Sequence, residues 1–205
     1  MATEAAAPTA PRARRVLRAD AQRNADSLVA AAKEVFAESG VDAPAKLITD
    51  RAGVGVGTLY RHFPLRSDLV KAVLSRDVDD CIRAAADLSA DNAPDVALEL
   101  WIQRFTEFVG TKRGLGPALH SGDPAFDGLP EFMLDRLNPA LAGLLDAASA
   151  DGGIRTGVDA DDILRAVAHL SSSSDAAGYA FSQRMVALLI DGLRTTPRDA
   201  AARAE

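Results

Sequence analysis

Residues Ala52–Phe63 read A-G-V-G-V-G-T-L-Y-R-H-F, and this stretch decides the fold class. Gly53 allows a sharp reversal of the chain, and Gly55 can take the N-cap position of a short helix that follows it. Upstream, residues Ala43–Arg51 can form another short helix with Pro44 in its first turn, where the missing N–H does no harm. Two short helices joined by a turn that contains glycine predict a helix-turn-helix.

The remainder of the chain also favours helices. Of its 205 residues, 48% are apolar, and most of these are alanines and leucines without long aromatic or β-branched runs. We therefore predict an all-α protein. Beside the two motif helices, helices are predicted over residues 20–39, 66–88, 94–109, 114–120, 130–150, 161–170 and 181–194. Residues 1–18, rich in Ala, Pro and Arg, are predicted to form a mobile arm.

Charge is divided unevenly along the chain. The net charge is −6, yet residues 1–76 carry 12 Lys/Arg against 8 Asp/Glu, whereas residues 77–205 carry 11 against 21. Because phosphate contacts need cations only at the contact surface, the acidic total does not exclude a nucleic-acid binder. The single cysteine, Cys81, fits a reducing cytoplasm, and no apolar run approaches the ~20 residues that cross a bilayer. We expect a cytoplasmic protein without a membrane partner.

The motif resembles the DNA-binding domain of the TetR/AcrR family of bacterial transcriptional regulators over roughly residues 22–75. The residues that carry the resemblance are Ile48, Thr49, Ala52, Gly53, Val54, Gly55, Gly57, Thr58, Leu59, Tyr60, His62, Phe63, Arg66 and Leu69. The resemblance implies a basic arm (1–18), a three-helix DNA-binding domain with the helix-turn-helix (19–65), a C-terminal helical domain for effector binding and dimerisation (66–196) and a tail (197–205).

The resemblance also implies a set of DNA-binding residues. They are Lys46, Val56, Gly57, Thr58, Tyr60, Arg61, His62 and Arg66. Thr58, Tyr60 and His62 offer polar hydrogens to phosphates, and Arg66 matches a basic residue for the DNA backbone. For Arg61 and for Lys46, contact with a base and contact with a phosphate are both open. The arginines of residues 1–18 either follow the DNA as a basic arm or form a solubilising tail.

Three residues depart from the family's pattern. Thr49 stands where alanine is usual, and its hydroxyl must bond back to a carbonyl. Leu47 replaces a polar residue and leaves an apolar group near the surface. Leu65 replaces a Ser/Thr cap, so that Ser67 or water must serve the helix that follows.

The last predicted helix is apolar nearly all round. A helix at the end of a small domain cannot bury every side in its own core, so this pattern favours contact with a second copy of the chain. The alternative is a helix buried centrally in a monomer. The resemblance agrees with the dimer and implies half-sites about one turn of DNA apart, ~34–36 Å.

By resemblance, the protein is a homodimeric repressor that binds an operator in double-stranded DNA and is released by a small-molecule effector. Candidate pocket residues are Trp101, Phe105, Phe108, His120, Phe126, Met133 and His169. No cofactor, metal site or catalytic set is expected. The alternatives are a helical enzyme with an incidental motif and an architectural DNA binder without an effector.

Other residues that resemble chemical sites are assigned to structure. Asp159 is expected to cap a helix, with Asp161 and Asp162 in its first turn, and not to bind a metal ion. His120 and His169 lack partners at metal-ligand spacing and are expected in the core or pocket. Cys81 is expected to be an inert packing residue.

Overall fold

The computed structural model describes residues 10–110, 126–171 and 176–194, and their side chains except those of residues 10–18 and Ala176. The described helices are α1 (Ala10–Ser39), α2 (Ala45–Ala52), α3 (Val56–His62), α4 (Arg66–Asp91), α5 (Pro94–Gly110), α6 (Leu129–Ala150), α7 (Ala160–Leu170) and α8 (Ala176–Leu193). Among the described residues, the one β-type pairing is an antiparallel bridge between Ile154 and Arg194. The all-α prediction is therefore confirmed. The chain divides into two compact units, Met1–Val73 and Leu74–Glu205.

Helix α1 begins ten residues earlier than the sequence pattern indicates. It starts at Ala10, so residues 10–18 of the predicted arm are helical, and the mobility of the arm stays a prediction. Pro11 lies in the first turn, where proline is tolerated, and the alanines and arginines after it are good helix formers. The apolar periodicity that guided the prediction starts only farther along the helix. Residues 1–9 lie outside the described part of the chain.

The first unit has a small apolar core. The predicted α1 residues Leu28, Ala32, Val35 and Phe36 are all buried. They share this core with Ile48 of α2, Leu59 of α3, and Leu69, Val70 and Val73 of α4. Leu59 is 4% exposed, so its side chain anchors the inner side of the short helix α3, and the opposite side of the helix faces outward.

The second unit is built around one larger core. Its members come from α4 to α8, with Trp101, Phe105, Leu137, Leu164 and Val186 among them. The predicted short helix 114–120 lies outside the described residues. Helix α6 continues through Pro139. No helix among the described residues has both the length and the apolar character needed to span a membrane.

Helix α7 begins as predicted. The Asp159 side chain accepts hydrogen bonds from the backbone N–H groups of Asp161, at 2.7 Å, and Asp162, at 3.3 Å. Asp159 therefore satisfies two of the donors that a helix start leaves free. Within the described residues, no group of three potential ligands could hold a metal ion.

Helix α8 has one buried and one exposed apolar side. It begins at Ala176, five residues before the predicted start. Val186, Ile190 and Leu193 are buried in the second unit's core, whereas Phe181 is 47% and Leu188 62% exposed. The Ser182 hydroxyl donates to the carbonyl of Leu170 at 2.6 Å, which ties α8 to the end of α7.

Candidate nucleic-acid interface

The turn between α2 and α3 has the geometry of a helix-turn-helix. Gly53 ends α2 in the left-handed conformation, with φ of 68° and ψ of 28°, which glycine adopts without strain. Gly55 is extended, and its carbonyl accepts the N–H groups of Thr58, at 2.9 Å, and Leu59, at 3.3 Å. The predicted roles of both glycines are confirmed.

Thr49 is accommodated in the way its chemistry requires. Its side chain is buried, and its Oγ1 donates to the carbonyl of Lys46 at 3.1 Å. The hydroxyl is thus satisfied inside its own helix, and the predicted back-bond is present. Leu47, on the other side of α2, is 47% exposed, as expected for an apolar group at this position.

Helix α3 presents one continuous outward side. Val56, Gly57, Tyr60 and Arg61 are exposed, while Thr58 and His62 are half-buried. These six predicted DNA-binding residues therefore lie together on one short helix. None of the described residues forms a hydrogen bond or ion pair with the Arg61 guanidinium. The helix offers a free cation, hydroxyl groups and apolar surface within two turns.

Lys46 lies on α2, and its ammonium group forms an ion pair within that helix. Its Nζ atom is 2.8 Å from both carboxylate oxygens of Asp50, one turn later in the same helix. Both side chains are exposed, so the pair contributes only about 0.3–0.5 kcal/mol. Lys46 can therefore leave Asp50 for a phosphate at little cost.

Arg66 begins α4, as predicted, and its side chain is bound by the backbone of a neighbouring turn. Its guanidinium donates to the backbone carbonyls of Val41 and Ala43, the second at 2.8 Å, and the side chain is half-buried. These carbonyls belong to the turn between α1 and α2, which has no helical N–H groups to satisfy them. These two bonds give Arg66 a structural role, and its predicted contact with a DNA phosphate stays a prediction.

The start of α4 has a side-chain bond that the sequence analysis did not predict. The backbone N–H of Leu65 donates to Asp68 Oδ2 at 3.0 Å. A carboxylate three residues after the N-cap reaches back to that residue's N–H in a capping box. The spacing from Leu65 to Asp68 is the sequence signal that would have found it.

An ionic contact joins α1 to α2. The two guanidinium nitrogens of Arg51 each lie 2.9 Å from an oxygen of Glu38. These hydrogen bonds from Arg51 lower the pKa of the Glu38 carboxyl from its ordinary value. Thirteen residues separate the partners, too far for a helical spacing rule to detect.

Four of the seven predicted effector-pocket residues lie in or against the core of the second unit: Trp101, Phe105, Phe108 and Met133. Trp101 and Phe105 are stacked in the core with ring centroids 5.7 Å apart, and the Trp101 Nε1 donates to the carbonyl of Cys81 at 2.9 Å. Phe108, Phe126 and Met133 are half-buried. His169 is exposed, so it does not lie in the core, and its place in a pocket stays a prediction. His120 lies outside the described residues.

A different concavity is present in the second unit. It is a cleft of about 280 Å³ between α5 and α8, with mainly polar and acidic side chains. The lining residues are Glu99, Gln103, Thr106, Glu107, Gln183, Val186, Ala187, Ile190 and Asp191. Arg194 bridges two of the acids, at 2.7 Å from Glu99 and 3.0 Å from Asp191. Periodic aromatic residues could not reveal this cleft, because its walls are polar.

The chain matches two protein families and several known proteins. Residues 28–73 match the family described as bacterial regulatory proteins of the tetR family, and residues 93–195 match the SbtR-like transcriptional regulator C-terminal domain. The TetR transcriptional regulator SCO0520 of Streptomyces coelicolor is 36% identical, with a TM-score of 0.68 over 84% of this chain and 99% of that one.

Two further similarities differ in extent. The chain spans about a third of the curated relatives it matches: the HTH-type regulator SAUSA300_2515 of Staphylococcus aureus (strain USA300) is 41% identical over 64 residues, 31% of this chain and 35% of that protein. FadR of Bacillus subtilis, solved in complex with stearoyl-CoA, shares the fold at 20% identity, with a TM-score of 0.61 over 82% of this chain and 98% of its own. The helix-turn-helix, the C-terminal domain match and the near-complete coverage of SCO0520 agree, and the chain belongs to the TetR family of bacterial transcriptional regulators.

Proposed function

We propose that the protein is a homodimeric repressor that binds a specific operator in double-stranded DNA and is released by a small molecule. The outward side of α3 carries this proposal, because it combines Tyr60, Arg61 and Gly57 at the surface while Leu59 holds the helix from inside. In a helix-turn-helix, the second helix enters the major groove and its flanks contact the backbone. The DNA-binding domain is proposed over residues 19–65 and the regulatory domain over residues 66–196.

Each exposed group has a chemical role in this proposal. The hydroxyls of Thr58 and Tyr60 and the ring of His62 bind phosphates, which positions the helix. The Arg61 guanidinium binds either guanine O6 and N7 or a phosphate. Gly57 lets the backbone approach the duplex, since an added Cβ at this position would meet no protein atom within 4 Å.

A shift assay on the DNA upstream of the gene tests DNA binding. Arg61→Ala is expected to weaken binding and to reduce the slope of log K against log salt by roughly one per subunit if Arg61 binds a phosphate. Arg104→Ala is the matched control, because Arg104 is an exposed arginine on α5 of the second unit. Equal losses in the two variants, or binding by neither the wild type nor the variants, would refute the proposal.

Dimerisation is proposed through the exposed side of α8. Phe181 and Leu188 are two helical turns apart and expose apolar surface on the same side. Leu188→Glu is expected to shift the protein to monomers in light scattering and to weaken operator binding. Leu100→Glu, at an exposed leucine of α5, is the control and should leave the dimer intact. If the wild type is a monomer at micromolar concentration, the proposed dimerisation is wrong.

Effector binding is proposed in the second unit, without any catalytic step. The cleft between α5 and α8 is close in volume to the smallest ligand pockets, about 300 Å³. FadR, which shares the fold, binds stearoyl-CoA. A ligand releases the operator only if it binds the DNA-free state more tightly than the DNA-bound state. A screen for compounds that raise the melting temperature and dissociate the operator tests this; a hit that does only the first is not the effector.

A further inference from the structure

Exposed apolar side chains are concentrated around the helix-turn-helix. Eight large apolar residues are exposed in the described part of the chain, and four of them, Leu47, Val56, Tyr60 and Leu65, lie within positions 47–65. Clusters of exposed apolar groups mark interaction surfaces. Of the exposed apolar residues on α3, Val56 has no role in the proposed function. It is the first residue of that helix, and its exposed fraction is 41%.

Folding gives no reason for a valine at this position. The side chain is too exposed to be part of the core, and valine favours a helix less than alanine does. It also has no polar atom with which to bind a phosphate, a guanine or an adenine. Gly57, the next residue, leaves open space beside it. The side chain therefore suits an apolar partner outside the chain.

In the DNA major groove, the apolar group on the base edges is the C5-methyl group of thymine. We propose, on the basis of the proposed function, that Val56 reads a thymine methyl group in each half-site of the operator. Leu47 and Leu65 are less suited, because they lie on α2 and just before α4, whereas the second helix of the motif enters the groove. Val56 thereby selects thymine over cytosine at one position, and Arg61 and the hydroxyls set the register.

The test removes only the methyl group. Full-length protein first selects its operator from random duplexes, and each thymine is then replaced by uracil in both half-sites. At one position, uracil should weaken wild-type binding about fourfold per half-site, or about fifteenfold for the dimer, as expected for one buried methyl group. Val56→Ala loses both γ-methyl groups, so its loss of binding on uracil should be smaller than that of the wild type. At a cytosine placed there, 5-methylcytosine should restore wild-type binding.

Matched variants separate the outcomes. Leu65→Ala removes an apolar side chain that is more exposed than Val56, 63% against 41%, and should keep the sensitivity to uracil. Circular dichroism should show Val56→Ala folded, since alanine is the better helix former. If the protein selects an operator but no thymine is sensitive, or Val56→Ala retains the full sensitivity of the wild type, this inference is wrong and the proposed function stands. If the protein selects no operator, both are wrong.

Discussion

Replacing Arg66 by alanine distinguishes a structural tie from a DNA contact. The guanidinium donates to the carbonyls of Val41 and Ala43, two buried residues in the turn between α1 and α2. Hydrogen bonds from a charged donor contribute roughly 1.5–3 kcal/mol each, and partial exposure of Arg66 to solvent reduces this. We expect Arg66→Ala to lower the free energy of unfolding by about 2–3 kcal/mol, a large part of the usual 5–15 kcal/mol.

Two measurements on the same variant give opposite results for the two roles. For a protein of this size, that loss corresponds to a melting temperature lower by roughly 4–10 °C, followed by circular dichroism. Operator binding, measured well below the melting temperature at several salt concentrations, should keep its slope of log K against log salt. Arg66→Lys should recover part of the stability, because an ammonium group reaches one carbonyl but not both.

A phosphate contact predicts the reverse. Losing one phosphate contact per subunit would lower the slope by about two for a dimer and would leave the melting temperature unchanged. That pair of results would refute the structural role of Arg66.

Three further predictions concern the described geometry. Because Arg51 lowers the pKa of Glu38, the stability from this contact is present above the ordinary glutamate pKa and is lost as the pH falls through the lowered value; thermal melts against pH should show this loss in the wild type and not in Glu38→Gln. Gly53→Ala should destabilise the protein by about 1–2 kcal/mol in denaturant titrations, because Gly53 has a left-handed backbone. Gly57→Ala should instead stabilise α3 by up to ~1 kcal/mol in the same titrations and still weaken operator binding. Asp159→Ala should cost about 1 kcal/mol through loss of the α7 cap, and Asp159→Asn should retain most of it.

Local rules predicted much of the fold and of the motif. Gly53 and Gly55 fix the turn through backbone conformation, and Asp159 caps α7 through a bond within its own turn. The buried side of α1 follows from the spacing of Leu28 and Phe36. In each of these cases, the partners are within a few residues or the position alone sets the conformation.

Contacts between distant parts of the chain could not be predicted in this way. Arg66 binds carbonyls more than twenty residues away, and a basic residue near a DNA-binding motif has the same sequence appearance in either role. Trp101 and Phe105 recur at helical spacing, which is the pattern of a core helix and also of a pocket wall. The packing places both rings in the core of the second unit.

The ion pair on α2 gives the proposed DNA-binding surface an internal competitor for its cation. Asp50 holds Lys46 in the free protein, and its carboxylate repels any phosphate that approaches the same side of the helix. This opposition is the same for every duplex, so it lowers the affinity for non-specific DNA and for the operator by the same factor and leaves their ratio unchanged. Asp50 therefore limits how tightly this surface holds any DNA, and discrimination between sites has to come from base contacts.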